Sequence, residues 1–282
     1  MISMADRQEH PGGTFRAALE QARLEDGSFG MTVSGPGEVE PTVIATLALE
    51  DAASRAWIAS AQRGDGGFAA SDGRPESPTV AALAALALAD RGASMRALAH
   101  AVSNRATAVG ESGDGDGDGR DGWGWTNDTY SWIEPTSRVL LVTKLLRPAD
   151  STTRAEALAI LRERRCPDGG WNYGNASVNG VDLRSYAQTT AVALMALQGE
   201  STSLIEPPLA FLSRRWRDEP GGLTLAQTLL ALRLHTHDAA ADVRQALVVA
   251  YRRTGFFDNV LALAWAALAT APNETVDRFR SV

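Results

Sequence analysis

Two glutamates stand one residue apart in the segment GEVEPTVIATLALED, residues 37–51, directly before a run of small and branched apolar residues. Neighbouring carboxyl groups can share one proton, because the charge of one raises the pKa of the other and burial adds to the effect. A carboxyl group kept protonated in this way can serve as a general acid. Glu38 and Glu40 are therefore the candidate catalytic residues, with Glu40 as the proton donor and Glu38 as its partner.

Glu40 also has a structural interpretation, which the sequence leaves open. A carboxylate in the first turn of a helix can accept hydrogen bonds from free backbone N–H groups and suits the positive end of the helix dipole. Pro41 and Pro135 would then occupy the first helical position, where proline is favoured. The same Glu-Pro-Thr triplet recurs with Glu134, which indicates a role shared between repeats.

Aromatic residues are concentrated between residues 123 and 186. The faces of aromatic rings stabilise cations by about 0.5–2 kcal/mol each where water is excluded, so this cluster is typical of a cavity that handles carbocations. Some of these rings are expected to fill turns instead, Trp171 after Asp-Gly-Gly first among them. The predicted substrate-binding aromatic residues are Trp125, Tyr130, Trp132, Tyr173 and Tyr186.

The elements that must position these residues form a repeat. A helix, a turn of the Asp-Gly-Gly-aromatic kind, a loop and an Ala/Leu-rich helix recur six times, as in ALEQARLEDGSFG followed by PTVIATLAL. The first helix of each unit is amphipathic and belongs outside, whereas the second is apolar on all sides and belongs inside. The last unit is as apolar as the others, so no polar cap ends the array. An all-α fold follows, with six helical hairpins closed into an α/α toroid of residues 14–270 and tails at 1–13 and 271–282.

Equivalent positions of such a toroid form rings around its mouth. Alignment on the helix threonine gives one ring of Glu40, Ser77, Glu134, Gln188, Ala226 and Asp258. Two residues earlier, it gives a second ring of Glu38, Pro75, Trp132, Tyr186, Thr224 and Phe256. The predicted rim is acidic and aromatic, and Glu134 and Asp258 join the predicted substrate-binding residues.

The repeats resemble those of the squalene–hopene cyclase and protein prenyltransferase superfamily. The segments DGSFG after Gln21, DGGFA after Gln62, and PDGGW are similar to its glutamine–aromatic repeats. The resemblance covers residues 14–270 and implies the toroid. The Asp-x-Cys zinc motif of protein prenyltransferases and the Cys-Gly-Glu-Gln motif of thioester proteins are absent.

Class II terpene cyclases of this superfamily carry an Asp-x-Asp-Asp-Thr motif, which EVEPT matches in outline. Glu38 and Glu40 replace the first two aspartates and Pro41 replaces the third. The resemblance implies protonation-initiated cyclisation of an isoprenoid, an isomerase or lyase reaction without a cofactor. The missing acid, and the lack of a second helical domain, favour the alternative of a non-catalytic toroid that binds an isoprenoid, a lipid or a protein partner. A glycan-processing toroid with Glu40 and Glu134 facing each other is a third interpretation.

The composition of the chain bears on its binding partners and its localisation. The net charge of −7 is spread along the chain, and no basic stretch indicates a nucleic-acid partner. The apolar runs are too short for a transmembrane segment and no signal peptide is evident, which predicts a cytoplasmic protein. Neither Cys166 nor His235 and His237 predicts a metal site. Asp114, Asp116 and Asp118 match only the first half of a calcium loop, so a solvated insertion is the expected structure.

Overall fold

The computed structural model describes residues 11–69, 74–106, 122–127, 129–147 and 150–281. Helices of two kinds alternate along these residues. The inner helices are α2 (Val39–Leu49), α4 (Pro78–Ala87), α6 (Ile133–Leu146), α8 (Ala187–Ala196), α10 (Gly222–Leu234) and α12 (Val260–Thr270). The outer helices are α1 (Pro11–Gln21), α3 (Ala52–Ala61), α5 (Arg91–Ser103), α7 (Ser151–Glu163), α9 (Thr202–Arg215) and α11 (Ala240–Thr254). A two-stranded antiparallel hairpin, β1 (Ser177–Val178) and β2 (Val181–Asp182), precedes α8.

The inner helices form a closed ring. Each of them contacts the next in chain order, and α12 returns to contact α2. The outer helices pack around this ring, for example α5 against α4 and α11 against α10. The prediction of an all-α toroid built from six helical hairpins is therefore confirmed.

The burial of the helices follows their sequence patterns. Every residue of α12 is buried, and so are nine of the eleven residues of α2, as expected for helices that are apolar on all sides. In contrast, α11 buries Val243, Leu247 and Val248 on one face, which is the spacing of an amphipathic helix. The ring therefore forms the core, and the outer helices cover it.

The aromatic residues of four turns are hydrogen-bonded to the residues that precede the inner helices. Phe29, Phe68, Trp123 and Trp171 are fully buried. Each accepts, at its carbonyl oxygen, a hydrogen bond of 2.9–3.0 Å from the N–H of the residue that precedes an inner helix, and these residues are Glu38, Ser77, Trp132 and Tyr186. Threonines on the outward face of three inner helices accept from the N–H of the same aromatic residues, as Thr190 does from Trp171.

These hydrogen bonds correct the alignment that the threonines gave. Ser77 is equivalent to Glu38 and not to Glu40, because both precede an inner helix and bind the same carbonyl position. Asp258 lies before Asn259, the residue that caps α12, and is not equivalent to Glu40 either. Pro41 is the third residue of α2 rather than the first. The same Pro-Thr pair thus enters α2 and α4 at different depths, and sequence similarity alone misplaced the register.

Residues 271–281 continue onto the toroid. They form α13 (Asn273–Val276) and a 3₁₀ turn (Asp277–Phe279) in which Val276 and Phe279 are buried. The Gln198 side chain donates to the Phe279 carbonyl at 2.8 Å. Domain limits at 14 and 270 stay a prediction. Among the described residues, no helix combines the length and apolar character needed to cross a membrane.

Gly66→Ala is expected to destabilise the fold, because Gly66 has a φ of 95° and a Cβ there would lie 2.4 Å from the Arg96 carbonyl oxygen. The backbone conformation alone costs a non-glycine residue about 1–3 kcal/mol, and the clash adds to this. Chemical denaturation measures the loss. Gly64→Ala is the matched control, because Gly64 lies in the same turn and a Cβ there would have open space around it. Equal unfolding free energies for the two variants would contradict the expectation.

Candidate functional site

An arginine holds two of the predicted acidic residues together at the mouth of the ring. Arg138 of α6 pairs through Nη1 with Glu40 Oε1 of α2 at 2.7 Å and through Nη2 with Glu134 Oε1 at 2.5 Å. Because α4 lies between α2 and α6 in the ring, the contact with Glu40 crosses the interior. Glu40, Glu134 and Arg138 therefore point towards the centre of the toroid.

The carboxylates of Glu40 and Glu134 do not cap their helices. Among the described residues, the cap residues of α2 and α6, Glu38 and Trp132, make no side-chain hydrogen bond to the first N–H groups, and the carboxylates of Glu40 and Glu134 pair with Arg138. The prediction of a capping role was wrong on this point. A charged guanidinium is a stronger partner for a carboxylate than a neutral backbone N–H, and the ring geometry brings one within reach of both.

Two carboxylates share this single guanidinium in a buried place. Arg138 and Glu134 are each 4% exposed, and Glu40 is partly buried. Burial raises the pKa of Glu134, and the charge of Glu40 raises it further, although Arg138 opposes both effects. The group of three carries one negative charge when both carboxyl groups are ionised, and burial favours the protonated form of Glu134.

Glu38 lies next to this group, at the residue that precedes α2. Burial raises the pKa of its carboxyl group, and the nearby charge of Glu40 raises it as well, whereas Arg74 lowers it. Among the described residues, Glu38 makes no ion pair of its own. Glu38 is thus a carboxyl group with a raised pKa that is available to contact a ligand.

Trp125 and Tyr130, two of the predicted aromatic residues, face cations of the chain itself. The guanidinium of Arg138 lies 5.4 Å from the ring centre of Trp125, and that of Arg164 lies 4.7 Å from the ring centre of Tyr130. Tyr130 also contacts Trp132 edge to face, with 5.5 Å between the ring centres. These contacts show that the rings lie in positions suited to positive charge.

Tyr173 and Tyr186 form a second aromatic pair. Their rings stack at 4.9 Å, and the guanidinium of Arg184 lies over Tyr186. Burial raises the pKa of the Tyr173 hydroxyl, as do the neighbouring Tyr186 and the charges of Glu219 and Glu134, which places this pair close to the acidic group. Trp125 and Tyr173 are exposed, at 39% and 51%, so the mouth presents aromatic surface to solvent.

Residues one turn deeper than Glu40 and Glu134 are buried. The sixth residue of each inner helix is at most 4% exposed; these residues are Ile44, Leu83, Arg138, Val192, Gln227 and Trp265. Three of them carry polar atoms without a partner among the described residues, namely Arg138 Nε, both amide atoms of Gln227 and Trp265 Nε1. Unpartnered buried polar atoms are the atoms that an ordered water or a ligand group would satisfy.

The remaining predicted residues lie elsewhere. Asp258 is exposed at the end of the 3₁₀ turn Gly255–Asp258, and it borders a surface groove together with Gln21 and Tyr251 of two outer helices. His235 contacts the Leu194 carbonyl through Nε2 at 2.8 Å, and His237 accepts from the Ala239 N–H. Asp114, Asp116 and Asp118 fall outside the described residues.

Arg138 is the residue that sequence reasoning missed. A signal was present, because Arg138 follows Glu134 by four residues in a helix that is otherwise made of apolar and hydroxyl residues up to Lys144. A charge inside a buried helix needs a partner, and Glu134 at the i−4 position supplies one. The second partner, Glu40, is 98 residues away in the sequence.

Comparisons with known proteins support the fold. No family model matches the chain, and no curated protein matches it either. Among solved structures, the type II terpene cyclase MstE from Scytonema is similar in its apo form, with 16% identity, a TM-score of 0.59 and coverage of 87% of this chain and 78% of that one.

Two further solved structures are similar. A variant of MstE in complex with geranylgeranyl dihydroxybenzoate, named as substrate, has 14% identity and a TM-score of 0.61 and covers 97% of this chain and 98% of that one. A protein from Actinoplanes has 17% identity and a TM-score of 0.53, with coverage of 89% and 80%. The chain therefore has the fold of the terpenoid cyclases.

Proposed function

We propose that the chain is a class II terpene-cyclase-like protein that protonates an isoprenoid at the mouth of the toroid and cyclises it. Glu38 is the proton donor in this proposal, and Glu40 is the carboxylate beside it. The observation that carries the proposal is the raised pKa of Glu38 next to a carboxylate that Arg138 holds in place.

The roles of the two glutamates are reversed relative to the sequence-based expectation. Protonation of an alkene requires a carboxylic acid, and a guanidinium at 2.7 Å pairs with the carboxylate form of Glu40. Glu38 has no such partner among the described residues, and both burial and Glu40 favour its protonated form. A carboxyl group that burial keeps protonated, beside a carboxylate held by an ion pair, can serve as a proton donor.

An isoprenoid is the substrate class that fits the mouth. The stacked Tyr173 and Tyr186 and the exposed ring of Trp125 offer apolar surface to a hydrocarbon chain and faces to a cation. Trp132 and Tyr130 extend this surface. Solved cyclases of the same fold bind a geranylgeranyl compound, which supports a prenylated substrate here.

The reaction balances without a cofactor. The Glu38 proton forms a new C–H bond with an alkene carbon, and the resulting carbocation is attacked by further alkenes within the same molecule. Loss of a proton from the last cation ends the sequence, so the product is an isomer of the substrate. The proton donor is then restored from solvent.

The test is incubation of the purified chain with linear polyprenols, squalene and prenyl diphosphates in deuterated water, followed by mass spectrometry of the products. A cyclised isomer that carries one deuteron is expected, because the carboxyl proton exchanges with solvent before transfer. Unchanged substrates, or a product without deuterium, would overturn the proposal.

The burial of the inner helices at the level of Arg138 favours a second function, a toroid that binds an isoprenoid, a lipid or a protein partner without turnover. At the level of Arg138, residues from all six inner helices leave little accessible surface, so a ligand would be held at the mouth. Saturable binding of a fluorescent polyprenol without product, weakened by Tyr173→Ala or Trp125→Ala, supports this alternative. If the deuterium experiment also shows no turnover, this binding result excludes catalysis.

A further inference from the structure

A histidine and two carboxylates converge away from the mouth, in the second repeat. His100 of α5 lies with Nε2 at 3.5 Å from Glu76 Oε2 and with Nδ1 at 3.4 Å from Asp65 Oδ2. One ligand atom from each residue can be chosen so that all three lie within 4.8 Å of one another. Asp65 belongs to the Asp-Gly-Gly turn, and Glu76 lies just before α4.

The histidine of this group is buried without a satisfied ring. Its side chain is 5% exposed, and among the described residues Nε2 makes no hydrogen bond. A buried polar atom without a partner is rare in folded proteins and calls for a water or an ion. Glu76 Oε2, the atom that faces this nitrogen, is held from the other side, since Glu76 Oε1 pairs with Arg63 Nη1 at 2.6 Å.

The other repeats show what the turn aspartate does when its role is structural. Asp26 accepts hydrogen bonds from the Ser28 hydroxyl at 2.6 Å and from the Trp57 indole at 3.1 Å, and Asp168 accepts from both the N–H and the hydroxyl of Ser185. Glu76 occupies the position equivalent to Ser185, two residues before an inner helix begins. The second repeat thus replaces a hydroxyl donor with a second carboxylate and places His100 opposite it.

We propose that Asp65, Glu76 and His100 bind a divalent transition-metal ion, with Zn²⁺ as the best match. One imidazole nitrogen and two carboxylate oxygens form a donor set that Zn²⁺ accepts, whereas Mg²⁺ and Ca²⁺ prefer oxygen alone. In a tetrahedral zinc site with bonds of about 2.0–2.2 Å, ligand atoms stand about 3.4 Å apart, and the separation of His100 Nε2 from Glu76 Oε2 is 3.5 Å.

The geometry leaves the ion reachable from solvent. The Asp65 side chain is 56% exposed and that of Glu76 is 17% exposed. Asp65 Oδ2 lies beside Nδ1 rather than Nε2, so this third ligand must turn towards an ion that Nε2 and Glu76 hold, and water can fill the fourth position. Arg63 fixes the orientation of Glu76 as an outer partner of the site. A bound ion would tie the turn, the start of α4 and the outer helix α5 together.

The experiment uses the full chain after treatment with a chelator and its removal. Titration calorimetry with Zn²⁺ is expected to show one site, Co²⁺ is expected to give d–d absorption bands of a bound ion, and Zn²⁺ is expected to raise the melting temperature. His100→Gln and the near-isosteric Glu76→Gln should each lose the site, and Arg63→Met should weaken zinc binding by about 10–100-fold.

Two control variants separate this site from other zinc binding. Asp26→Asn alters the equivalent aspartate of the first repeat and should bind zinc as the unmodified chain does. His237→Gln tests the other candidate histidine and should also leave binding intact. The proposal is overturned if the chain takes up no zinc, if binding survives in His100→Gln, or if binding is lost in His237→Gln.

Discussion

Arg138→Met is expected to lower the free energy of unfolding by about 3–5 kcal/mol, the cost of removing one partner from a buried ion pair. The variant keeps the volume of the side chain but leaves Glu134 without a counter-charge at 4% exposure. It also removes the link across the ring from α6 to Glu40 of α2. Denaturant titration followed by circular dichroism measures the loss.

The loss depends on pH in a defined direction. Burial raises the pKa of Glu134 above its ordinary value of 4.5, so between 4.5 and the raised value the folded chain holds a proton that the unfolded chain has released. The contribution of this bound proton to the free energy of unfolding is fully present below pH 4.5 and is lost as pH rises through the pKa of Glu134 in the folded chain. Without Arg138, which lowers this pKa, the window extends upwards, and the defect of Arg138→Met grows with pH.

Two variants make the measurement specific. Arg215→Met removes an exposed ion pair with Asp218, whose side chains are 61% and 49% exposed, and should cost at most about 1 kcal/mol. The double variant Glu134→Gln with Arg138→Met removes the unpaired charge and should recover part of the stability. A defect of Arg138→Met no larger than that of Arg215→Met would contradict the role assigned to the buried pair.

The fold could be predicted from the sequence because its signals are local and repeated. Each unit contains its own turn aromatic residue and its own apolar helix, as Trp171 and the helix after Tyr186 show. A unit can therefore be recognised within about 40 residues of sequence. The closure of the ring followed from the apolar character of the last helix. The repeat also concealed a difference, since the similar Pro-Thr pairs at Pro41 and Pro78 start their helices at different positions.

The site was harder to predict because its contacts are distant in the sequence. The position of Glu38 and Glu40 at the start of a helix is a local property, and the neighbouring sequence predicted it. The ion pair of Glu40 depends on Arg138, which lies 98 residues away, and no spacing rule connects the two. The contact becomes evident only when the ring places α2 and α6 on either side of α4.

The group of Asp65, Glu76 and His100 is hidden for the same reason. Each of these residues occupies an ordinary place in its own segment, namely a turn, a loop and an amphipathic helix. The distinguishing feature is the comparison of repeats, because Ser185 stands where the second repeat has Glu76. A search for metal motifs of fixed spacing cannot find ligands that three different elements supply.

Glu38→Gln is expected to lower the rate of cyclisation by about 10²–10⁴-fold, the contribution typical of a general acid. Glutamine keeps the shape of the side chain but has no proton to transfer to an alkene. Because Glu38 makes no ion pair among the described residues, the change should leave stability and isoprenoid binding nearly unaltered. Single-turnover product formation and equilibrium binding of the same polyprenol are the two measurements.

Variants at the neighbouring acids distinguish Glu38 from them. Glu40→Gln removes a charge that raises the pKa of Glu38, so the fall of activity with rising pH should move to lower pH without abolishing turnover. Glu134→Gln removes the other carboxyl group with a raised pKa and should retain most of the activity. Full activity in Glu38→Gln, together with its loss in Glu134→Gln, would transfer the proton donor role to Glu134, because these are the two acids at the mouth whose pKa values burial raises.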